Sequence, residues 1–531
     1  VAVAGLSVVL TAVLLWGTTI PLGVPGEWSW SRIPAEPLLP FSIAQLAIAA
    51  TVFVCVGWLG DRRMTHARPR ELLLWGLAAS AAALGWSATL ISLTPSPQNA
   101  GRATWVLYYP GPSGYYTEAR STDDPWEYLA RYDEKVAEGD VLHLGTHPPG
   151  LVIAYWLLDL VRTGVPGVES LLQASWPIEA QDWWNLIREQ TANTPRPPPT
   201  SDGRLLWFAA LVVWLIGLAT AWPVWWLVRR LHGPQAAWRT ALCWPAVPAL
   251  AIFWPKSDGL LPAIGMLAIA LYISAWEHRS LVRGGLAGLL AFAGVMLTLG
   301  LLPTLFWLGV WTLVRWVEPI AFPSHPDGGD PRNQPLATNA SSVTRRLPLT
   351  ETLWAAVPAA GLFLLATLGV SLVCRLNLPL VWLGNLRNHA GFYDQYPRTW
   401  LAWLAVNPVE LAFALGLPLI VLLVWGLCDW FVARRSVEIV STTEEATASR
   451  RSNRRAVLVA TVVTFGVLWL SGKNSGEAAR LWQFLLPWWL VLSAGMWRAE
   501  SQRGLWLGVW IAQLVACAVT AWRVAGFDVA G

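Results

Sequence analysis

HLGTHPPG, residues His143–Gly150, closes a long polar stretch in a chain that is otherwise mostly apolar. Pro148 and Pro149 cannot continue a preceding helix but suit the first turn of a new one. A helix is therefore expected to begin here, with His147 just outside its N-terminus. Ahead of the histidines lies a run dense in carboxylates and tyrosines: Tyr115, Tyr116, Glu118, Asp123, Asp124, Glu127, Tyr132, Asp133, Glu134, Glu138 and Asp140. Any single acidic loop residue is most simply a solvated one. The loop as a whole is different, because compact proteins rarely carry a connection beyond about 15 residues without a task.

Of 531 residues, 55% are hydrophobic and only 13% charged, which puts the chain among all-α polytopic membrane proteins. Roughly thirteen apolar runs are long enough to cross, or nearly cross, about 30 Å of hydrocarbon. Among them are Val3–Leu22, Phe41–Leu59, Leu72–Leu93, Leu205–Val228, Thr240–Trp254, Leu353–Cys374, Val409–Val432 and Leu481–Trp497. Leu151–Leu160 is half a span and is expected to lie flat at the interface. Arginine-rich connections should face the cytoplasm; they hold Arg62, Arg63, Arg68 and Arg70, then Arg229, Arg230 and Arg239, then Arg279 and Arg283, and at the end Arg498 and Arg503. This puts the N-terminus in the cytoplasm of a plasma or inner membrane and residues 94–204 outside it. Residues 1–71 read as a two-helix membrane extension before a core of 72–531. The 317–352 and 433–455 segments read as flexible cytoplasmic linkers, being rich in charge, Pro, Ser, Thr and Asn.

A net charge of +4 on such a chain gives no nucleic-acid footprint. The 38 tryptophans are expected in belts where hydrocarbon meets water. Five cysteines without a CxxC pair read as buried small residues, with no disulfide framework and no metal cluster. HExxH, GxSxG and Walker A sequences are missing, which removes the best support for zinc-protease, serine-hydrolase and nucleotide-driven readings.

Ionisable groups at the membrane edge are costly and are functional candidates by default. In KNSGEAAR, residues 473–480, Glu477 and Arg480 stand three apart on one helix face. Arg480 offers a fork that matches phosphate, and Lys473 a second cation. The segment from Asn385 to Arg398 adds Arg387, His389, Tyr393 and Arg398, a mixture suited to an anionic headgroup and a sugar ring. Asp258, in WPKSDG, reads as a helix N-cap.

The order of span, acidic outer loop, HPP element, short flat helix and Arg-led span resembles the GT-C superfamily of polyprenyl-phosphate-sugar-dependent glycosyltransferases, its mannosyltransferase and aminoarabinose-transferase branches above all. The stretches that carry the likeness are YYTEARSTDDPWEYLARYDEKVAEGDVLHLGTHPPG, NHAGFYDQYPRTWLAWLAVNP and GEAARLWQFLLPWW. The superfamily's adjacent acidic pair straight after the first core span is not matched, and two extra spans precede the core. The resemblance implies a lipid-linked sugar donor and an acceptor hydroxyl meeting at the outer leaflet, with inversion at the sugar carbon. A general base is implied among Asp124, Asp123, Glu118 and Asp133, with Asp124 placed first and His147 orienting base or acceptor. His143, Arg387, His389, Tyr393, Arg398, Lys473, Glu477 and Arg480 would hold phosphate and sugar. No nucleotide or other cofactor is implied, and the need for a divalent ion stays open. The competing class is a transporter or flippase for a lipid-linked or sugar solute, which predicts a polar path at the midplane.

Overall fold

The computed structural model describes residues 2–34, 40–317, 320–323, 342–345, 349–433, 444–497 and 502–528. It is 78% helical, because hydrocarbon offers no partner to a backbone N–H or C=O that its own segment leaves unpaired. Among the described residues the only strands form two antiparallel hairpins, Gly23–Val24 with Trp28–Ser29 and Ile320–Pro323 with Ser342–Arg345. Among the described residues eight helices are long and apolar enough to cross a membrane, or up to ten if each of two bent pairs is one span. The chain is thus an integral multi-pass membrane protein. Leu353–Val373 shows why, since only 11% of its most apolar window is buried inside the protein and the rest requires lipid.

Several of the thirteen apolar runs are broken helices among the described residues. Thr240–Trp254 is not one helix but Pro234–Cys243, a 3-10 turn at Trp244–Ala246 and Pro248–Ile252. Pro245 and Pro248 each lack a donor, and Val247, ahead of Pro248, leaves helical geometry at ψ 119°. Leu481–Trp497 is likewise cut to Leu486–Ser493 between 3-10 turns. Val409–Val432 is divided by Gly416, φ 100°, where Trp400–Leu415 turns by 110° into the next helix. The segment expected to be ten residues long and flat is the fifteen-residue helix Gly150–Gly164, bent by 104° from Val168–Ser175. Within the expected linkers, Ile320–Pro323 pairs with Ser342–Arg345, and a helix begins at Glu444 and runs on to Leu470. Residues 324–341 and 434–443, and Arg498, lie outside the described residues.

Many of the tryptophans pack inside the protein. Trp86, Trp105, Trp184, Trp244, Trp307, Trp311, Trp403, Trp482, Trp497, Trp506 and Trp510 are fully buried. Several carry their indole N–H to a backbone carbonyl: Trp244 to Gly217 at 2.7 Å, Trp238 to Gly57 at 2.8 Å and Trp86 to Pro245 at 3.3 Å. An indole fills space and satisfies an acceptor at once, which suits a core made of interrupted helices. Nor are all five cysteines buried, for Cys55 and Cys428 are exposed on apolar helices; all five are free.

The two ends of the bundle differ in charge chemistry. Helix Ser257–His278 runs between them. At its far end Arg230 pairs with Glu277 at 3.0 Å, and Asn453 donates to the same carboxylate at 3.0 Å. At that level Arg239, expected in a connecting loop, is wholly buried. It grips Asp61 through Nε at 2.7 Å and Nη2 at 3.0 Å, and Arg503 adds a third contact at 2.8 Å. Asp61 ends the Pro40–Asp61 helix, and Ala2–Trp16 packs along Arg503–Arg523. Removing one partner of a buried ion cluster strands the remaining charges and costs about 3–5 kcal/mol. Asp61→Ala is therefore expected to lower the thermal unfolding midpoint in detergent sharply, and an unchanged midpoint would contradict this role for the cluster.

Candidate functional site

At the opposite end, Asp140 builds the HLGTHPPG turn. Its carboxylate accepts from the amides of Leu142 at 2.9 Å, His143 at 3.0 Å, Leu144 at 2.6 Å and Gly145 at 3.3 Å. Partial burial works against the charge, but these four donors outweigh it and hold Asp140 below the usual carboxylate range. Tyr132 Oη donates to the carbonyls of Leu144 at 3.0 Å and His147 at 2.8 Å. From the Leu378–Gln395 helix, Asn385 Nδ2 reaches Gly145 O at 2.7 Å and Asn388 Nδ2 the same oxygen at 2.9 Å. Gly145 lies against the Asp140 carbonyl and the Asn388 amide, and Gly150 against the Met296 carbonyl, with no room for a Cβ at either. The next helix starts at Gly150 with His147 outside it, as the proline pair predicts.

The turn presents two imidazoles to Tyr115, whose buried ring meets His143 and His147 edge-on at 5.8 and 5.7 Å. His147 Nδ1 lies 3.1 Å from the His143 carbonyl and 2.9 Å from Thr146 Oγ1. Burial first, then the nearby Lys256 charge, pushes His147 down to about 3 and His143 well below its usual value. Both rings are neutral at physiological pH.

Lys256 is 4% exposed. Its ammonium donates to the Pro112 carbonyl and lies 5.7 Å from the Tyr115 ring centre. Burial, reinforced by repulsion from Arg480, brings it down to about 7. Arg480 bonds Glu477 at 2.9 Å and faces Asp258 at 3.8 Å. Burial opposes its charge, yet Glu477 and Asp258 prevail and raise it above the ordinary guanidinium value. The Asp258 contact is too long for a hydrogen bond, and both Arg480 Nε and Asp258 Oδ2 are buried with no hydrogen-bond partner. Asp258 is thus not the N-cap expected: Lys256 takes that position on the short 3-10 helix Ser257–Leu260. Glu477, φ 57°, and Asn474, φ 59°, hold left-handed backbone without being glycine, a strain of about 1–3 kcal/mol each that concentrates at functional sites. Asn474 Oδ1 lies 3.1 Å from His389 Nε2, and Tyr393 Oη accepts from the Ser475 amide at 3.1 Å.

The structure therefore brings together His143, His147, His389, Tyr393, Glu477 and Arg480, from three separate stretches, with exposed Lys473 on the same loop. It leaves the acidic quartet apart. Asp124 is exposed and caps the Pro125–Ala130 helix, accepting from Trp126 N at 2.8 Å and Glu127 N at 3.3 Å. An aspartate ahead of a proline at the first helical position has that role available locally. Asp123 is exposed and pairs with Arg196 at 3.4 Å, Asp133 is exposed, and Glu118 meets Lys135 at 3.4 Å. None of the four is in hydrogen-bond or ion-pair contact with the histidines or Arg480 among the described residues. Arg387 is exposed, and Arg398 donates to the Glu27 carbonyl, part of the N-terminal hairpin, and lies over Phe392. Sequence reasoning passed over Lys256 and the clamping roles of Asp140, Asn385 and Asn388. A usable signal existed for Lys256: it stands two residues from Asp258 at the head of an apolar helix, the pattern that singled out Glu477 and Arg480.

Models of known protein families give no match to this chain, and no characterised protein matches it. Among the described residues no three His, Cys, Asp or Glu side chains group as a metal site.

Asp140 sets a testable expectation. A carboxylate held low contributes stability above its unfolded value, near 3.9, and loses it as pH falls through the lower folded one. Asp140→Ala should cost about 1–2 kcal/mol at neutral pH and lose less on acidification than the wild type. Matching acid unfolding curves for the two proteins would refute the clamp.

Proposed function

We propose that the protein is a membrane glycosyltransferase, moving a sugar from a polyprenyl-phosphate donor to an acceptor hydroxyl. One observation carries the reading: Lys256, buried, and Arg480, whose side chain is 12% exposed, repel each other at one end of the bundle, and Arg480 Nε is buried with no hydrogen-bond partner. An anion placed between them removes the repulsion and fills the empty donor, and a phosphate matches the guanidinium fork. The arginine pattern along the sequence puts this end at the outer face of the membrane.

Asp258 replaces Asp124 as the general base in this reading, because its carboxylate is inside the cluster while that of Asp124 is spent on a helix cap. The acceptor oxygen bonds to the sugar C1 as the C1–O bond to phosphate breaks. Asp258 takes the hydroxyl proton, and the lipid phosphate leaves with the bonding electrons toward Arg480 and Lys256. Neutral His143 and His147 and the aromatic Tyr115 would line the sugar side, with His389 and Tyr393 behind them. Phosphate linkage already activates C1, so the step needs no nucleotide. A flippase is the less favoured class, because the polar groups gather at one end and helix Leu261–His278 is apolar through its middle.

The test incubates purified protein in nanodiscs with a radiolabelled polyprenyl-phosphate hexose and a membrane extract. Arg480→Ala and Asp258→Asn should each cut transfer about 10²-fold or more, while Asp123→Asn and Asp124→Asn stay near wild type. Equal transfer by all of them removes the site assignment, and movement of the lipid-linked sugar across the bilayer without transfer supports the flippase. Transfer should also decline as pH rises through about 7, where Lys256 loses its proton, and Lys256→Arg should retain activity above that point.

A further inference from the structure

At the end of the bundle that carries Arg480, the Ala2–Trp16 helix stops against two arginines. Arg523 donates to the carbonyls of Leu15, at 3.3 Å, and Ile33, while Arg32 donates to those of Leu14, at 3.0 Å, and Ile20, at 2.5 Å. Because they take successive carbonyls, the two side chains stand side by side. Carbonyls fill hydrogen bonds but cancel no net charge. The helix end contributes roughly half a negative charge, against two guanidinium charges that persist at physiological pH. Neither arginine forms an ion pair among the described residues, and Asp528 accepts from the Ser31 hydroxyl at 3.2 Å instead. Arg523 is 6% exposed and lies 4.9 Å from the centre of the Trp16 ring, itself 47% exposed. Arg32 is half-buried, and its Nη1 has no hydrogen-bond partner among the described residues. Along the same helix Leu6, Leu10 and Val13 are exposed. The uncancelled positive charge therefore stands where an apolar helix face ends.

We propose that Arg32 and Arg523 bind the phosphate of an anionic phospholipid in the leaflet at this end, with its chains against the exposed face of the Ala2–Trp16 helix. Arg32 Nη1 makes the direct hydrogen bond, Arg523 adds its charge from behind, and Trp16 sits at the level of the headgroup. Charge and apolar area together select the ligand. A choline headgroup would bring a cation of its own back to the arginines. A free phosphate has no chains to replace water on the helix face. An anionic phospholipid meets both needs. The site shares no residue with the sugar-transfer reading, so each stands or falls without the other.

The experiment uses the full chain in nanodiscs doped with a trace of phosphatidylglycerol or of phosphatidylcholine, each carrying a diazirine at the head of one acyl chain. Photolabelling of residues 9–20 should be about tenfold stronger with the phosphatidylglycerol probe. Unlabelled phosphatidylglycerol should displace that probe, and inorganic phosphate should not. Arg32→Gln should lower the labelling about tenfold. Thr19→Glu, on the exposed turn beside Ile20, leaves both arginines in place, supplies a carboxylate of the chain's own and should lower it to a similar extent. Both variants are first checked for wild-type gel-filtration profiles and unfolding midpoints. Equal labelling by the two probes, displacement by inorganic phosphate, or undiminished labelling of either folded variant overturns the proposal. If Arg32→Gln fails to fold, Thr19→Glu and the comparison of probes decide alone.

Discussion

Two cations crowded at one end of the bundle, Lys256 and Arg480, set the terms for that whole end of this protein. Neither would stay charged in that place alone. Asp258 and Glu477 supply the opposing field, and Glu477 does so from a left-handed backbone position that an ordinary side chain disfavours. The imidazoles feel the same field in reverse: already stripped of water, they are kept neutral by the cations beside them. The end of the bundle thus holds fixed positive charge, neutral rings and a carboxylate with an unused oxygen, an environment organised before any ligand arrives.

That arrangement needs rigid supports, and the broken helices provide them. Proline at 245 and 248 halts one segment just before Lys256, and another break leaves the Arg480 loop between two packed helices. Each break frees carbonyls inside the protein, and buried indoles and arginines answer them. Arg102, for example, donates to the carbonyls of Ala251 and Ile252 and stacks on Trp254. Part of the tryptophan content, which by itself suggests a membrane girdle, thus satisfies irregular backbone in a dry core.

Outside the bundle, the acidic stretch is a packed helical layer and not a loose loop. Arg120 joins Asp202 at 2.5 Å to Asp159 at 3.0 Å, Arg162 ties Asp159 to Glu169, and Arg204 continues to Glu169. Tyr116 adds a hydrogen bond to Asp202 at 2.7 Å. Of the acids that look like catalytic candidates in a list of residues, Asp124 caps a helix and Asp123 and Glu118 are held in ion pairs. Asp140, the least conspicuous of them, shapes the turn on which both histidines stand.

Membrane class, helical content, the helix start after Pro149 and the Glu477–Arg480 contact were all legible in the sequence. Each depends on local composition, on proline geometry or on a spacing within one helical turn. Which apolar runs form one unbroken helix was not, because apolar character alone does not separate a continuous helix from one interrupted within the protein. Nor was the choice of carboxylate: Asp124 and Asp258 are each an acid beside a helix start, and what distinguishes them is what comes near from elsewhere in the chain. Only the tertiary structure brings Arg480 to Asp258 and Lys256 to Tyr115, since electrostatic coupling acts through distance in space and a sequence records distance along the backbone.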